Sequence, residues 1–454
     1  MLSGQGLLSG QGVLSGGQSY HAEFAWVDRS VARDVRIDVA DGRITAVTPG
    51  TPPLPGATRL AGLTLPGFAN AHSHAFHRAL RGRAQGPGTF WSWRERMYEL
   101  AGRLDPDQYY RLARATYAEM ALAGVTCVGE FHYLHHPPDG ESYDDPNEMA
   151  HSLVVAAAEA GIRITLLDTL YLTSTVDGGE LVGPQRRFSD GSVDAWARRV
   201  ALLPFPPHMR AGVAAHSVRA VPADLLPEVV AVAAGRPLHV HLSEQPAENE
   251  ACRARYGRTP TQLLAEAGAL GPATTAVHAT HLSDADISLL GQSRTTVCLC
   301  PTTERDLGDG IGPARALADA GSPLSLGSDS HAVIDPLEEA RAVELDERLR
   351  SQQRGYFTVA DLIDAATRHG HAALGWADAG SIAVGARADL VTVRLDTVRT
   401  AGYDDPVAAV VFAATAADVT DVVVDGRPIV HNGRHQLVED VPGALASAIE
   451  AVWS

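Results

Sequence analysis

From Glu23 to Val47 apolar and polar residues alternate in short runs, Phe24-Ala25-Trp26-Val27, Val35-Arg36-Ile37-Asp38-Val39 and Ile44-Thr45-Ala46-Val47, interrupted at Asp41-Gly42. Alternation puts every second side chain on one face, and Asp-Gly is a hairpin signal, so this region predicts a small β unit. The pattern returns near the other end, in Ala388–Val393 and Asp421–Val430. One β-sandwich domain made from residues 19–64 and 376–440 is the simplest way to bury both apolar faces, with independent β units at each end as the alternative. Residues 65–375 read differently. Apolar strand candidates end at His74, His132, Asp168, His216, His241, His278, Cys300 and Asp329, and amphipathic stretches such as Pro106–Gly124, Met149–Gly161, Val193–Leu203, Thr259–Gly268 and Ile311–Gly321 lie between them. Eight strands alternating with helices predict an α/β fold, a (β/α)8 TIM-like barrel whose polar residues gather at the strand C-terminal ends. A doubly wound open sheet is the alternative, but it scatters those ends instead of converging them. Residues 441–454 form an expected C-terminal helix, and residues 1–18 repeat a Leu-Ser-Gly-Gln-Gly pattern that predicts a disordered leader. That leader lacks the basic start and unbroken apolar core of a signal peptide or membrane span.

Composition narrows the partners. A formal charge of −17, from 37 basic and 54 acidic residues, opposes any broad nucleic-acid or anionic-membrane surface. An anionic small molecule would therefore need a local cationic site, and every basic residue here is arginine because the chain has no lysine. The cysteines Cys127, Cys252, Cys298 and Cys300 show no paired framework, which suits buried thiols in a reducing compartment and a cytoplasmic location.

Candidate chemistry starts at Leu65-Pro66-Gly67-Phe68-Ala69-Asn70-Ala71-His72-Ser73-His74. Alternate strand residues share a face, so His72 and His74 can both hold one metal ion, although a pair like this alone also fits a hydrogen-bonded surface feature. His239 and His241 alternate in the same way, with His241 nearer the strand end and Glu244 three residues beyond; that carboxylate can move protons without occupying the metal. His278 closes the next strand and Asp329 the last, the alternatives being a satisfied core histidine and a helix cap. Three histidines and an aspartate leave a position open for water on zinc, and Fe2+ or Mn2+ tolerate the same donors.

With His72-Ser73-His74, His241 with Glu244, His278 and Gly327-Ser328-Asp329-Ser330-His331 in place, the chain resembles the amidohydrolase superfamily in its mononuclear-zinc deaminase branch. The resemblance implies one zinc held by His72, His74, His241 and Asp329, with Glu244 and His278 acting beside it and Asp329 also taking a proton. Binuclear relatives often bridge two metals through a carbamylated lysine, which a lysine-free chain cannot supply. Phe90-Trp91-Ser92-Trp93-Arg94-Glu95-Arg96-Met97-Tyr98, Gly129–His136 and His216-Ser217-Val218-Arg219 further resemble formimidoylglutamate deiminases of histidine degradation. This implies a cytoplasmic homodimeric hydrolase that converts N-formimino-L-glutamate to N-formyl-L-glutamate and ammonia. Another deaminase acting on a nucleobase or nucleoside, and a non-catalytic dihydropyrimidinase-like scaffold, are the competing readings.

Two carboxylates on such a substrate need cationic and hydrogen-bonding anchors, for which Arg219 and Arg94 are chosen, supported by Tyr133 and His216. Arg96 competes with Arg94, and Trp91 and Trp93 are expected to pack their loop against the barrel. His77 stands where the family usually has a glutamine that helps contact the substrate, which predicts altered recognition and a side-chain charge that varies near neutral pH. His132, His135 and His136 are expected to form a solvated or hydrogen-bonded cluster rather than a second metal site, and His331 to support the Asp329 loop.

Overall fold

Strands β1 (Gln18–Val27), β2 (Ser30–Ala40), β3 (Arg43–Thr48) and β4 (Thr58–Pro66) begin the computed structural model, which describes residues 17–454. Of the leader expected over residues 1–18, residues 1–16 lie outside the described residues, and Gln18 already pairs in β1. β2 and β3 run antiparallel around Asp41-Gly42, both at positive φ, the hairpin its sequence predicts.

Eight parallel strands follow: β5 (Phe68–Ser73), β6 (Val125–His132), β7 (Arg163–Leu170), β8 (Met209–Ala215), β9 (Leu238–Leu242), β10 (Thr274–His278), β11 (Thr296–Leu299) and β12 (Leu324–Leu326). They pair in sequence order, β5 to β12, and each expected strand is present. Nearly every side chain on them is buried, as strands enclosed by helices outside and packed side chains inside require. The barrel is drawn shut just beyond β12, where Asp329 N donates to His72 O (3.0 Å) and His74 N donates to Asp329 O (3.2 Å). Asp329, three residues past β12, thus stitches the last strand to the first.

Helix starts follow local chemistry. Pro106–Leu122 is capped by Asp105, whose carboxylate accepts from Gln108 N at 2.7 Å, with Pro106 at the first turn where no amide hydrogen is needed. The C-terminal helix Val441–Trp453 returns to this region, and Trp453 Nε1 donates to Ala79 O at 3.0 Å.

β13 (Leu390–Val393), β14 (Val419–Val424), β15 (Arg427–His431) and β16 (Arg434–His435) complete the sheet begun by β1 to β4. β13 pairs antiparallel with β4, so strands from both chain ends run in one continuous order, β16-β15-β14-β13-β4-β1-β2-β3. Arg163 of β7 ties this sheet to the barrel. It is fully buried, forks onto Asp389 with one bond of 2.9 Å, and reaches Asp425 at 3.2 Å. Among the described residues no helix is long and apolar enough to cross a membrane.

Candidate metal centre and active site

β5 delivers His72 and, one residue past its end, His74 to the C-terminal mouth of the barrel. The next strand fixes them: Glu130 of β6 accepts from Ser73 Oγ and from Ala75 N, both at 2.7 Å. Burial lifts the Glu130 carboxyl to about 7, partly offset by these donors. His74 Nδ1 donates to Phe131 O and His241 Nδ1 to His216 O, each at 2.9 Å. A carbonyl only accepts, so each Nδ1 carries the hydrogen and each Nε2 presents a bare lone pair to the centre.

These two nitrogens and Nε2 of His72 gather around Asp329. Its Oδ1 lies 3.2 Å from His72 Nε2 and 3.4 Å from His74 Nε2, while His241 Nε2 is 3.1 Å from His72 Nε2. Ligand atoms of His72, His241, His278 and Asp329 all fall within 4.8 Å of one another, and His74 joins through Asp329. Burial lowers the pKa of His72 and His241, and that of His74 to about 3. Burial alone would raise the Asp329 carboxyl, but its hydrogen bond with His72 and the charge of nearby His278 hold it well below the usual carboxylate range. Neutral imidazoles and an ionised carboxylate are the protonation states a divalent cation requires, so the donor set fits one.

His278 belongs to this group of donor atoms, and Glu244 stands beside it. Burial raises the Glu244 carboxyl to about 7, with His278 pulling it down and Asp329 pushing it up. Burial would lower the His278 pKa, but the surrounding carboxylates, Glu244 first, carry it well above the ordinary imidazole value. His278 Nε2 is 3.7 Å from Glu244 Oε1 and 4.0 Å from Asp329 Oδ2. The backbone turns left-handed where these groups are presented, with φ of 51° at Ser243, 68° at His278, 41° at Asp329 and 58° at His331. Such conformations are costly for residues with a Cβ and collect at sites where side-chain direction matters.

The pocket above the cluster is lined by all five expected anchors, Arg94, Arg219, Tyr133, His216 and His77. Arg94 comes from the helix Phe90–Ala101 and stacks its guanidinium 4.5 Å over the exposed Trp91 ring. Trp91 is therefore a platform for the arginine rather than loop packing, whereas Trp93 lines the pocket edge-on to His77. Arg96 points outward and pairs with Glu99 at 2.8 Å. Arg219 keeps its charge: burial opposes it, but Tyr171, Glu248, Tyr98 and Glu244 outweigh that cost. Tyr133 OH lies 3.0 Å from His77 Nε2.

The expectation for the charge of His77 is corrected. His77 does not vary in charge near neutral pH, because complete burial beside His74 pushes its pKa well below the ordinary value and keeps it neutral. Of the solvated or hydrogen-bonded cluster expected of His132, His135 and His136, the hydrogen-bonded form is present, and it is buried. His135 bonds His132 at 3.3 Å and Thr169 O at 2.9 Å, while the nearby Asp168 is taken up by Arg199 and Trp196. His239 stays out of the centre, with Nε2 3.3 Å from Ala373 O one layer down the barrel. His331 links Ser328 Oγ (2.9 Å) to Ser73 Oγ (3.2 Å), bracing the Asp329 loop against β5.

Sequence reasoning missed Tyr171 and Phe188, which line the pocket, and Glu304, which touches His278 at 3.3 Å. Tyr171 follows the end of β7 and had that position as a signal; Phe188 and Glu304 had none.

A family model described as the amidohydrolase family matches residues 63–429. Formimidoylglutamate deiminase of Pseudomonas aeruginosa is 40% identical over 434 residues, covering 91% of this chain and 95% of that protein. Among solved structures, an amidohydrolase from Brucella melitensis superposes with a TM-score of 0.89 at 34% identity, over 96% of this chain and 100% of that one. An adenosine deaminase from Xanthomonas campestris with bound zinc gives 0.82 at 25% identity, over 95% and 97%.

Proposed function

The chain belongs to the amidohydrolase family, and from that premise we propose that this hydrolytic deaminase converts N-formimino-L-glutamate and water to N-formyl-L-glutamate and ammonia in histidine degradation. The observation that carries the reading is the union, in one pocket, of a cation-binding cluster, a Glu244–His278 proton-handling pair and two arginines. The amidine end of the substrate suits the first two, and its carboxylates suit Arg94 and Arg219, with Tyr133, His216 and His77 as hydrogen-bonding partners. The similarity to the Pseudomonas aeruginosa deiminase supports the same substrate.

His72, His74, His241 and Asp329 hold the metal in this reading, with zinc the choice because a relative of this fold carries it. When bound, the cation supplies a water made acidic enough to act as a nucleophile near neutral pH. Asp329 Oδ2 faces His278 and not the two strand histidines, so it is free to accept the proton of the attacking water. His278 Nε2 sits beside both Glu244 and Asp329 and orients the nucleophile. The water oxygen bonds the formimino carbon as Asp329 takes one of its protons and Glu244 delivers one to the imino nitrogen, leaving a hydroxyl and an amino group on that carbon. The hydroxyl then gives its proton to Glu244 as the carbon–oxygen double bond forms, Asp329 passes its proton to the amino nitrogen, and that carbon–nitrogen bond breaks to release ammonia. A carboxyl near 7 can both give and take a proton at neutral pH. The homodimer and the cytoplasmic location belong to the same reading and rest on the resemblance.

The test is ammonia release from N-formimino-L-glutamate by metal-analysed protein, beside N-formimino-L-aspartate, guanine and adenosine. Turnover of the glutamate derivative with about one metal per chain, lost chiefly through kcat/KM in Arg219→Met, is the expected outcome. Preferential turnover of a neutral nucleobase or nucleoside would instead assign the aromatic wall of Trp93, Tyr98 and Phe188 to base stacking.

A further inference from the structure

Glu244 and Asp329 account for one ring nitrogen of His278, and the other points away from the pocket. Nδ1 lies 3.3 Å from Glu304 Oε1. Glu304 is buried, in the first turn of the helix Pro301–Leu307, and the same Oε1 accepts from Cys300 N at 2.9 Å. Its carboxylate is thus anchored on its own backbone while facing a residue 26 positions away. His278 needs such a support. It stands at φ 68°, followed by Ala279 at 51°, so the regular strand geometry that aims side chains has already ended where its ring begins.

We propose that Glu304 is a positioning residue for the hydrolysis: its carboxylate accepts the Nδ1 hydrogen of His278, which fixes the ring's orientation and presents Nε2 to Glu244, Asp329 and the reacting carbon. A carboxylate oxygen only accepts from this direction, so the contact keeps hydrogen on Nδ1 whether or not Nε2 carries one. The arrangement follows the logic by which an acid behind an imidazole holds its working nitrogen in place without touching substrate. This rests on the role given to His278 above, and the readouts are chosen to separate the two.

Metal-loaded protein labelled with 15N-histidine reports the His278 nitrogens directly, assigned by Asn substitution of His278, and needs no substrate. Nδ1 carrying hydrogen in the wild type is expected; a bare Nδ1 overturns the proposal whether or not any variant folds. In Glu304→Ala the His278 signals shift away from the wild-type positions and kcat falls about 10- to 100-fold, the range for partners that orient a site residue, with KM and metal content held. Glu304→Gln keeps an oxygen for both Cys300 N and Nδ1–H and recovers most of that loss. Wild-type kcat in Glu304→Ala, or a loss of kcat with unchanged His278 signals, overturns the assignment. Failure of the wild type to turn over N-formimino-L-glutamate would reject the substrate reading, while the nitrogen signals still decide Glu304.

Discussion

Burial lifts the Glu244 carboxyl to about 7, a shift that suits the proton-handling role proposed for it and carries a cost in stability. In the metal-free chain the folded state holds the proton more tightly than the unfolded state, so Glu244 contributes stability fully present below the ordinary glutamate range and lost as pH rises through about 7. Glu244→Gln mimics the protonated form at every pH. Its turnover is expected to fall about 10²- to 10⁴-fold with metal content unchanged. Denaturant titration of the metal-free variant should show it gaining on wild type between about pH 4 and about pH 8. Retained turnover would take Glu244 out of the reaction. At this scale the residue types and spacings of His72, His74, His241, Glu244 and Asp329 are readable in the chain, because a strand repeat and a carboxylate beside it are local facts. The neutrality of His77 and the Glu304 contact are not readable, since burial and a partner 26 residues away exist only after folding.

Elements join where β12 meets β5, and Gly327 is the residue that lets them approach. A Cβ there would lie 2.8 Å from His72 Cβ and 2.9 Å from His72 O, backbone that cannot step aside cheaply. Gly327→Ala is expected to push the β12 end off β5 and lengthen the Asp329–His72 approach. The structural cost is about 1–3 kcal/mol, and metal affinity should drop by about tenfold or more, measured by chelator competition; wild-type affinity would show that the two strand ends tolerate separation. The apolar runs and their order in the chain foretell eight strands, yet the meeting of the first and last is invisible locally. It arises because successive right-handed crossovers carry each strand around until the eighth lies beside the first.

For the whole molecule, Arg163 joins the barrel to the composite sheet through Asp389 and Asp425, with Trp376 beneath its guanidinium at 5.0 Å. Burial opposes the Asp389 charge, but Arg163 outweighs it and holds this carboxyl below its ordinary range. Its contribution is present above the unfolded value and lost as pH falls through the folded one, so the pair adds to acid sensitivity. Arg163→Met strands the buried Asp389 carboxylate under the barrel, whereas Asp425 keeps Arg387 at 2.8 Å, and is expected to cost about 3–5 kcal/mol in denaturant unfolding at neutral pH, with a smaller penalty in acid. A pH-independent penalty would assign the loss to packing on Trp376 instead.

Period-two alternation at both ends, the strand–helix rhythm between them, the absence of lysine and the histidine spacing are properties of neighbouring residues, so the sequence by itself determined the fold class, the candidate ligands and the cationic residues available for an anionic substrate. Tertiary structure alone decided which of these groups meet. It turned Arg94 inward and Arg96 outward, took Asp168 out of the His132 cluster through Arg199, kept His239 below the centre, and set Glu304 behind His278. The physical reason is that charge state and partnership depend on desolvation and on contacts between distant segments, and both come into being only when the strands close into a barrel.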